Sequence, residues 1–319
     1  SRWWSFPSPD IAQRSRKTHG ALGESVESLN RVLNDVISDQ SIADVPTGVF
    51  LSGGIDSSLT AAIMQRQSDS PVKTFTIGYD EPDYNEADHA KRIAEHLGTD
   101  HHELIVTPEH ILDLVATISK YYDEPFADSS QLPTVLLSKL ASEHVTVALS
   151  GDGGDEIFGG YNRYLWAEKL NGPFVSKVPL CLKRGVAGGI LLIPELFIAQ
   201  WFDWAKRWLR LGSSVQVPAE KLRKLAKALK SDSREALYRS LTTTCPAGEL
   251  LIEVTPSNLI ERHGETANVG TGSTEKMMRL DSVSYLPGDI LVKVDRASMA
   301  FGLEVRAPTG QRSITFAES

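Results

Sequence analysis

The chain has 319 residues, of which 41% are hydrophobic and 23% charged, a balance typical of a globular protein with one large domain or two ordinary ones. Its formal charge of −8 argues against a general nucleic-acid or membrane-surface binder, because phosphate-rich surfaces attract basic proteins. No apolar run approaches the ~18 residues that a membrane-spanning helix needs, so no membrane span is predicted.

The first part of the chain predicts a connector followed by a helix. Residues 5–9 are punctuated by proline and serine, and residues 14–17 are polar and basic, which is typical of irregular structure. Apolar residues then recur at helical spacing, with Val26, Leu29 and Val36 on one face. This spacing predicts an amphipathic helix over residues 23–38.

From residue 47 onward, short apolar strands alternate with helical patterns. The pattern predicts strands at 47–51, 72–77, 101–106 and 145–149, and helices at 58–67, 85–97, from 107 onward and at 134–144. Such alternation predicts an α/β fold with a doubly wound parallel sheet, in which ligands lie at the carboxyl ends of the strands. After Tyr161 the strand signals fade, and residues 162–300 are predicted to be mostly helical.

A loop rich in glycine and serine, Ser52–Ser58 with the sequence SGGIDSS, follows the first predicted strand and opens a helix. Its glycines allow close backbone approach to an anion, its serines add hydroxyl groups, and the helix N-terminus supplies free N–H groups. It is not a Walker A loop, because no Gly-Lys-Ser/Thr follows. Asp56 would repel phosphates unless a divalent cation intervened, which indicates Mg²⁺. The alternative is an ordinary turn that caps a helix.

A second loop, Ser150–Tyr161 with the sequence SGDGGDEIFGGY, follows the strand that ends at Leu149. Its glycines let the backbone wrap around a nucleotide, and its acidic residues can hold Mg²⁺ and an incoming amine. The alternatives are an acidic surface loop or a calcium site. The spacing of an EF-hand calcium loop is absent, which argues against calcium.

These segments resemble a known family. Ser52–Ser58 is similar to the pyrophosphate loop of the ATP-pyrophosphatase (PP-loop, adenine-nucleotide alpha-hydrolase) superfamily, whose members split ATP between the α- and β-phosphates. Residues 150–161 resemble the corresponding segment of class B asparagine synthetases. Residues 285–308 resemble their substrate-side helix, and residues 124–130 a segment near the mouth of the active site. The resemblance extends from about Trp3 to Pro308.

The resemblance also implies roles for individual residues. The ATP- and pyrophosphate-binding residues implied are Phe50, Leu51, Ser52, Gly53, Gly54, Asp56, Ser57, Ser58, Ile77, Ser150 and Gly151. Phe50 and Ile77 would contribute their backbone to adenine binding, and Ser150 and Gly151 would lie at the ribose and phosphates. Asp56 and Asp155 are the implied Mg²⁺ ligands, and Asp152, Asp289 and Lys293 are the implied catalytic residues.

The implied function is an ATP- and Mg²⁺-dependent amide ligase that adenylates a carboxylate and transfers ammonia to it, with aspartate as the expected substrate. Asp152 stands where the asparagine enzymes have Glu and β-lactam-forming relatives have Tyr, which favours intermolecular amidation over ring closure. The alternatives are the same chemistry on another carboxylate, such as a polysaccharide uronic acid, a tRNA-modifying PP-loop ligase, and a non-catalytic nucleotide-binding protein. A tRNA enzyme would be expected to have a basic surface and often a cysteine pair.

The resemblance further implies a division of the chain. Residues 1–20 are expected to be a linker from a glutaminase domain that is absent here and would supply ammonia. Residues 21–165 form the predicted ATP-pyrophosphatase core, and residues 166–319 a helical substrate-side region that is truncated at its end. There Thr309–Arg312 stands where Leu-Leu-Asp-His is usual. We expect no nucleic-acid or membrane partner, a possible homodimer and, from only two cysteines, a cytoplasmic setting.

Overall fold

The computed structural model describes residues 22–80, 85–170, 172, 177–193, 197, 219–231, 234–242 and 273–310. The predicted linker at residues 1–20 and the positions from 311 onward lie outside these ranges. The chain divides into two compact units, one formed by residues 1–160 together with 281–319 and the other by residues 161–280. Residues 281–310 of the predicted helical region therefore pack with the first unit.

The elements alternate along the first half of the chain as the sequence predicts. In chain order they are α1 (Leu22–Ser41), β1 (Thr47–Phe50), α2 (Ile55–Gln67), β2 (Lys73–Tyr79), α3 (Ala87–Leu97), β3 (Asp100–Val106), α4 (Pro108–Val115), α5 (Gln131–Ser142), β4 (Val147–Leu149) and α6 (Gly154–Phe158). They continue with α7 (Asn162–Leu170), α8 (Leu180–Leu192), α9 (Ala219–Leu229), α10 (Arg234–Thr242), α11 (Ser273–Val283), a π-helical turn (Leu286–Ile290), α12 (Leu291–Met299), β5 (Glu304–Arg306) and a 3₁₀ turn (Pro308–Gly310).

The strands form one five-stranded sheet in the order β3-β2-β1-β4-β5, and every pair is parallel. This confirms the predicted α/β fold. Val49 in β1 lies beside Thr74 of β2 on one side and Leu149 of β4 on the other. The strand order reverses between β1 and β4, because β2 and β3 extend the sheet one way and β4 and β5 the other. Ligands of such sheets bind where the order reverses, outside the carboxyl ends of the strands.

Both faces of the sheet are covered by helices. Val49 and Leu51 belong to a buried cluster with residues of α1, α2 and α3. Phe50, between them, belongs to a different cluster that includes Ala141 of α5. Successive side chains of a strand point to opposite faces, so a strand that is buried on both faces appears as a continuous apolar run. This explains why residues 47–51 predict a strand without showing alternation.

The edge strand β5 is absent from the sequence-based prediction. It pairs with β4, with Val305 beside Ala148, and Leu303 just before it is fully buried. β5 has only three residues and ends two residues before Pro308, which is too short for a periodic pattern. Its position depends on pairing with a strand more than 150 residues earlier in the chain.

All the secondary-structure elements that the structure describes in the second unit are helices. Its core contains Tyr164 and Ala167 from α7, Ala228 from α9, and Leu237 and Tyr238 from α10, together with Met277 and Leu280 from α11. The predicted helical character of this region agrees with these elements. Within the described residues, no helix is long and apolar enough to cross a membrane.

Candidate active site

The loop between β1 and α2 is shaped by glycine. Gly53 has a φ of +82°, a backbone conformation that residues with a side chain rarely adopt. A Cβ at this position would lie 3.0 Å from the backbone nitrogen of Ala90. Gly54 precedes the first turn of α2 and offers no side chain to cap it. Ser52 and Gly54 are exposed, so the loop is open to a ligand at the start of the helix.

The serines of this loop bind one another and the loop backbone. The hydroxyls of Ser52 and Ser57 are 3.0 Å apart, and the Gly54 N–H donates to Ser52 Oγ at 3.3 Å. Ser58 Oγ donates to the Gly54 carbonyl at 2.6 Å. These bonds hold the loop in a compact form around the helix N-terminus. A helix N-terminus held in this way suits a phosphate group, because its first N–H groups have no partner within the helix.

The loop after β4 packs directly against the loop after β1. A Cβ on Gly151 would lie 2.7 Å from the backbone nitrogen of Ser57. A Cβ on Gly154 would lie 2.5 Å from Cγ of Asp56, so the backbone of α6 rests on that carboxylate. Neither position can accept a side chain without a shift of its neighbour. The two motifs singled out from the sequence are therefore parts of one site, at the reversal of strand order.

Asp56 and Asp155 form a pair of like charges at this junction. Burial raises the pKa of the Asp56 carboxyl, and the charge of Asp155 raises it further. A cation between the two carboxylates would remove this repulsion. The described residues contain no group of three or more His, Cys, Asp or Glu side chains able to hold a metal. Two carboxylates with phosphates as additional ligands is the arrangement that Mg²⁺ commonly uses, so these residues fit a metal that binds together with a nucleotide.

Asp152 lies in the same loop and is half-buried. Burial raises its pKa, while the nearby Ser150 hydroxyl and the charge of Lys293 oppose the shift. Ser150 Oγ is buried and completes no well-aligned hydrogen bond with a described residue. A buried hydroxyl without a well-aligned hydrogen bond is uncommon and favours a ligand group at this point.

Lys293 is 7% exposed, and its side chain extends from α12 to the segment before α5. Its Nζ donates to Asp128 Oδ2 at 2.6 Å and to Ser130 Oγ at 2.7 Å. Burial acts to raise the pKa of Asp128, but the hydrogen bonds from Lys293 and Ser130 outweigh it and the pKa is lowered. Tyr122 donates to the Lys293 carbonyl at 3.1 Å, and burial, with a smaller effect from Asp128, raises the pKa of Tyr122 to about 12.

The remaining predicted site residues lie in or just after β1, in β2, and in the turn before α12. Phe50 and Leu51 have buried side chains, so only their backbone can reach a nucleotide. The Leu51 N–H donates to the Phe75 carbonyl at 2.9 Å, and the Leu51 carbonyl accepts from the Thr76 hydroxyl. Ile77 is half-buried in β2, and Asp289 lies in the π-helical turn before α12. The roles of these residues in binding or catalysis stay predictions.

Two further contacts in this region were not predicted from the sequence. Ser150 N–H donates to the carbonyl of Arg306 at 2.9 Å, which joins the loop after β4 (the acidic loop, Ser150–Tyr161) to β5. The hydroxyl of Thr309 donates to the carbonyl of Asp152. Both contacts link residues more than 150 positions apart, and neither residue type has a periodic or motif signature that would predict its partner.

Comparison with known proteins gives consistent results. The sequence model of the asparagine synthase family matches residues 28–313. A glutamine-hydrolysing asparagine synthetase 1 from Bacillus subtilis is 30% identical over 289 residues, covering 89% of this chain and 42% of the relative. A putative glutamine-hydrolysing asparagine synthetase 2 from Methanocaldococcus jannaschii is 34% identical over 280 residues, covering 86% of this chain and 49% of the relative. The chain thus spans less than half the length of these relatives.

Among solved structures, an NH₃-dependent NAD synthetase from Campylobacter jejuni superposes with a TM-score of 0.32 at 14% identity, covering 70% of this chain and 98% of that one. This likeness is too distant to add to the fold described above. The family match is more informative, since it begins before the loop Ser52–Ser58 and ends beyond β5. The chain therefore belongs to the asparagine synthase family.

Proposed function

We propose that this chain is an ATP-dependent amide ligase, which adenylates a carboxylate and then transfers ammonia to it. The observation that carries the proposal is the junction of the two loops, where Gly154 rests on the Asp56 carboxylate and Asp155 is close enough to raise the pKa of Asp56. The loop Ser52–Ser58, whose shape depends on glycine, and the carboxylates of Asp56 and Asp155 lie together where the order of the strands reverses. This arrangement suits a complex of a metal ion with a nucleotide. Membership of the asparagine synthase family supports the same chemistry.

In this proposal the triphosphate lies along Ser52–Ser58, where the serine hydroxyls and the start of α2 receive the pyrophosphate portion. Asp56 and Asp155 would hold Mg²⁺, which supplies positive charge against the phosphates when bound. The loop donors act where negative charge grows as pyrophosphate leaves. The Ser150 hydroxyl, which is buried and close to Asp152 but completes no well-aligned hydrogen bond, is available to the ribose or the α-phosphate.

The chemistry proceeds in two steps. An oxygen of the carboxylate attacks the α-phosphorus of ATP, and the bond to the β-phosphate oxygen breaks, so that pyrophosphate leaves and an acyl-adenylate remains. Ammonia then attacks the acyl carbon and AMP leaves with the oxygen it received. Asp152 is the proposed acceptor of the proton that nitrogen loses. Burial raises its pKa, and a carboxylate with a raised pKa is a stronger base than an ordinary one.

We propose aspartate as the carboxylate substrate, because the relatives with high coverage are named as asparagine synthetases. Their names also describe them as glutamine-hydrolysing. The chain spans less than half their length, and ammonia is the nitrogen donor that we propose for the amidation step itself. Lys293, which pairs with Asp128, is close enough to Asp152 for its charge to oppose the rise that burial causes in the pKa of that carboxyl. We therefore propose that the Lys293–Asp128 pair lies close to the group that accepts the proton.

An isotope experiment tests this function. The chain is incubated with ATP, Mg²⁺, ammonium and aspartate labelled with ¹⁸O in its side-chain carboxylate. We expect AMP that carries one ¹⁸O, together with pyrophosphate and asparagine. Replacement of Asp56 by Ala should abolish product formation. Stoichiometric ADP, or AMP without label in the presence of asparagine, would contradict adenylation of the carboxylate.

A further inference from the structure

We propose that Thr309 is a positioning residue for the metal–nucleotide site, because its hydroxyl holds the turn at Asp152 and Gly153 that leads into α6 and Asp155. The inference rests on the proposed function and deepens it. It assigns to a residue outside both sequence motifs a part in determining how tightly the metal–nucleotide complex is held.

Thr309 contacts the acidic loop at two consecutive residues. It is 6% exposed and lies in the 3₁₀ turn that follows β5. Its Oγ1 donates a hydrogen bond to the carbonyl of Asp152. A Cβ on Gly153 would lie 2.9 Å from the same hydroxyl oxygen, and Gly153 has a φ of +93°. The hydroxyl therefore both binds the turn and fills the space beside it.

The turn leads straight to the carboxylate pair. Gly153 is the residue before α6, and Gly154, the first residue of α6, rests on the Asp56 carboxylate with only 2.5 Å between Cγ of Asp56 and a Cβ built on the glycine. Asp155 follows immediately. Asp152 thus stands three positions before Asp155, the second carboxylate of the pair. A shift of the Asp152 carbonyl changes the distance between Asp155 and Asp56.

The hydroxyl of Thr309 is the part of the side chain that performs this role. A methyl group in its place would preserve the volume but leave the Asp152 carbonyl without this donor. A buried carbonyl that loses its donor is destabilised and moves towards another partner or water. The turn would then relax, and the carboxylate pair would lose its spacing. Glycine at 153 adds to this effect, since its backbone has wide conformational freedom.

The experiment measures metal-dependent nucleotide binding, without carboxylate substrate or ammonia. ATP affinity is measured by calorimetry in EDTA and in saturating Mg²⁺, for the unaltered chain, Thr309→Val and Thr309→Ser. We expect Thr309→Val to weaken ATP binding in Mg²⁺ by roughly tenfold, as the loss of one partly buried hydrogen bond predicts, and to leave binding in EDTA unchanged. Thr309→Ser keeps the hydroxyl and should bind within about twofold of the unaltered chain.

The outcomes separate this inference from its alternatives. The inference is overturned if Mg²⁺ increases the ATP affinity of Thr309→Val as much as that of the unaltered chain. It is also overturned if Thr309→Val weakens ATP binding as much in EDTA as in Mg²⁺, because that result indicates a general structural role. Thr309→Ala removes the hydroxyl with less bulk and replaces the valine variant if that one does not fold. If neither Thr309→Val nor Thr309→Ala folds while Thr309→Ser does, the inference is also overturned. Magnesium-dependent ATP binding without any pyrophosphate release on addition of aspartate and ammonium counts against the proposed function alone.

Discussion

Lys293 Nζ lies 2.6 Å from Asp128 Oδ2, and the two side chains are 9% and 20% exposed. The ammonium is also 2.7 Å from Ser130 Oγ, so two of its three N–H groups have partners. A buried ion pair of this kind is strongly destabilised when one member is removed, because the other charge remains in a poorly solvated place. The pair therefore acts as a unit that joins α12 to the segment before α5.

The first prediction concerns this unit. Replacing Lys293 by Met, or Asp128 by Leu, should each lower the free energy of unfolding by about 3 kcal/mol, since each leaves one buried charge uncompensated. The double variant should lose clearly less than the sum, because no unpaired charge remains. Urea denaturation followed by circular dichroism measures the three values.

A second ion pair from the same helix provides the control. Arg296 and Asp123 are 2.8 Å apart but 48% and 74% exposed. Exposed pairs of this kind contribute about 0–1 kcal/mol, so Arg296→Met and Asp123→Leu should have small effects that add. Strict additivity for Lys293 and Asp128 as well would show that their ion pair contributes no coupling energy.

Substitution at Gly154 is the second prediction. A Cβ at this position would lie 2.5 Å from Asp56 Cγ, so either the carboxylate or α6 must move. We expect Gly154→Ala to weaken Mg²⁺-dependent ATP binding by at least ~tenfold, because overpacking displaces neighbouring groups. Calorimetric titration with ATP in the presence and absence of Mg²⁺ measures the effect.

Gly185 in α8 is the matched control for that substitution. A Cβ there meets nothing within 4 Å, so the space is open. Gly185→Ala should leave ATP binding unchanged and slightly increase stability, since alanine favours a helix more than glycine does. If Gly154→Ala bound ATP as the control does, the close contact between α6 and Asp56 would have no role in nucleotide binding.

The sequence predicts the two loops because each is local. Ser52–Ser58 and the segment from Ser150 onward each combine glycines, hydroxyls and carboxylates in a short run after an apolar strand. Parallel strands bring their carboxyl ends to one edge of the sheet, so the fold prediction already implies that these runs lie near each other. The contact of Gly154 with Asp56 makes that expectation specific.

Other features depend on contacts that no local pattern records. β5 is three residues long, and its assignment requires the parallel pairing with β4. The Lys293 sequence context reads equally well as a salt-bridged core helix or a catalytic helix, and its partner Asp128 lies 165 positions away. Thr309 is an ordinary polar residue until the fold places its hydroxyl on the Asp152 carbonyl. Long-range pairing of this sort is a property of the folded chain alone.

The last prediction concerns the pH dependence of stability at Asp56. In the folded chain, burial and the charge of Asp155 raise the pKa of this carboxyl above its ordinary value of 3.8. The folded chain binds this proton more tightly than the unfolded chain does. The stability gained in this way is therefore fully present below pH 3.8 and is lost as the pH rises through the raised pKa of the folded chain. In EDTA at pH 7, Asp56→Asn should thus melt higher than the unaltered chain, by about 2 °C at such a partly exposed site.

Acidification to the folded pKa and below should reduce this difference towards zero, because both side chains are then neutral. Addition of Mg²⁺ and ATP should reverse the order, since only the unaltered chain retains the carboxylate pair and gains stability from binding. Asp88, an exposed carboxylate in the first turn of α3, supplies the control: Asp88→Asn should not raise the melting temperature, because a negative charge there favours the helix N-terminus. Differential scanning fluorimetry across pH measures all three chains. A melting temperature of Asp56→Asn at or below that of the unaltered chain in EDTA at pH 7 would show that the Asp56–Asp155 repulsion is already relieved without a metal.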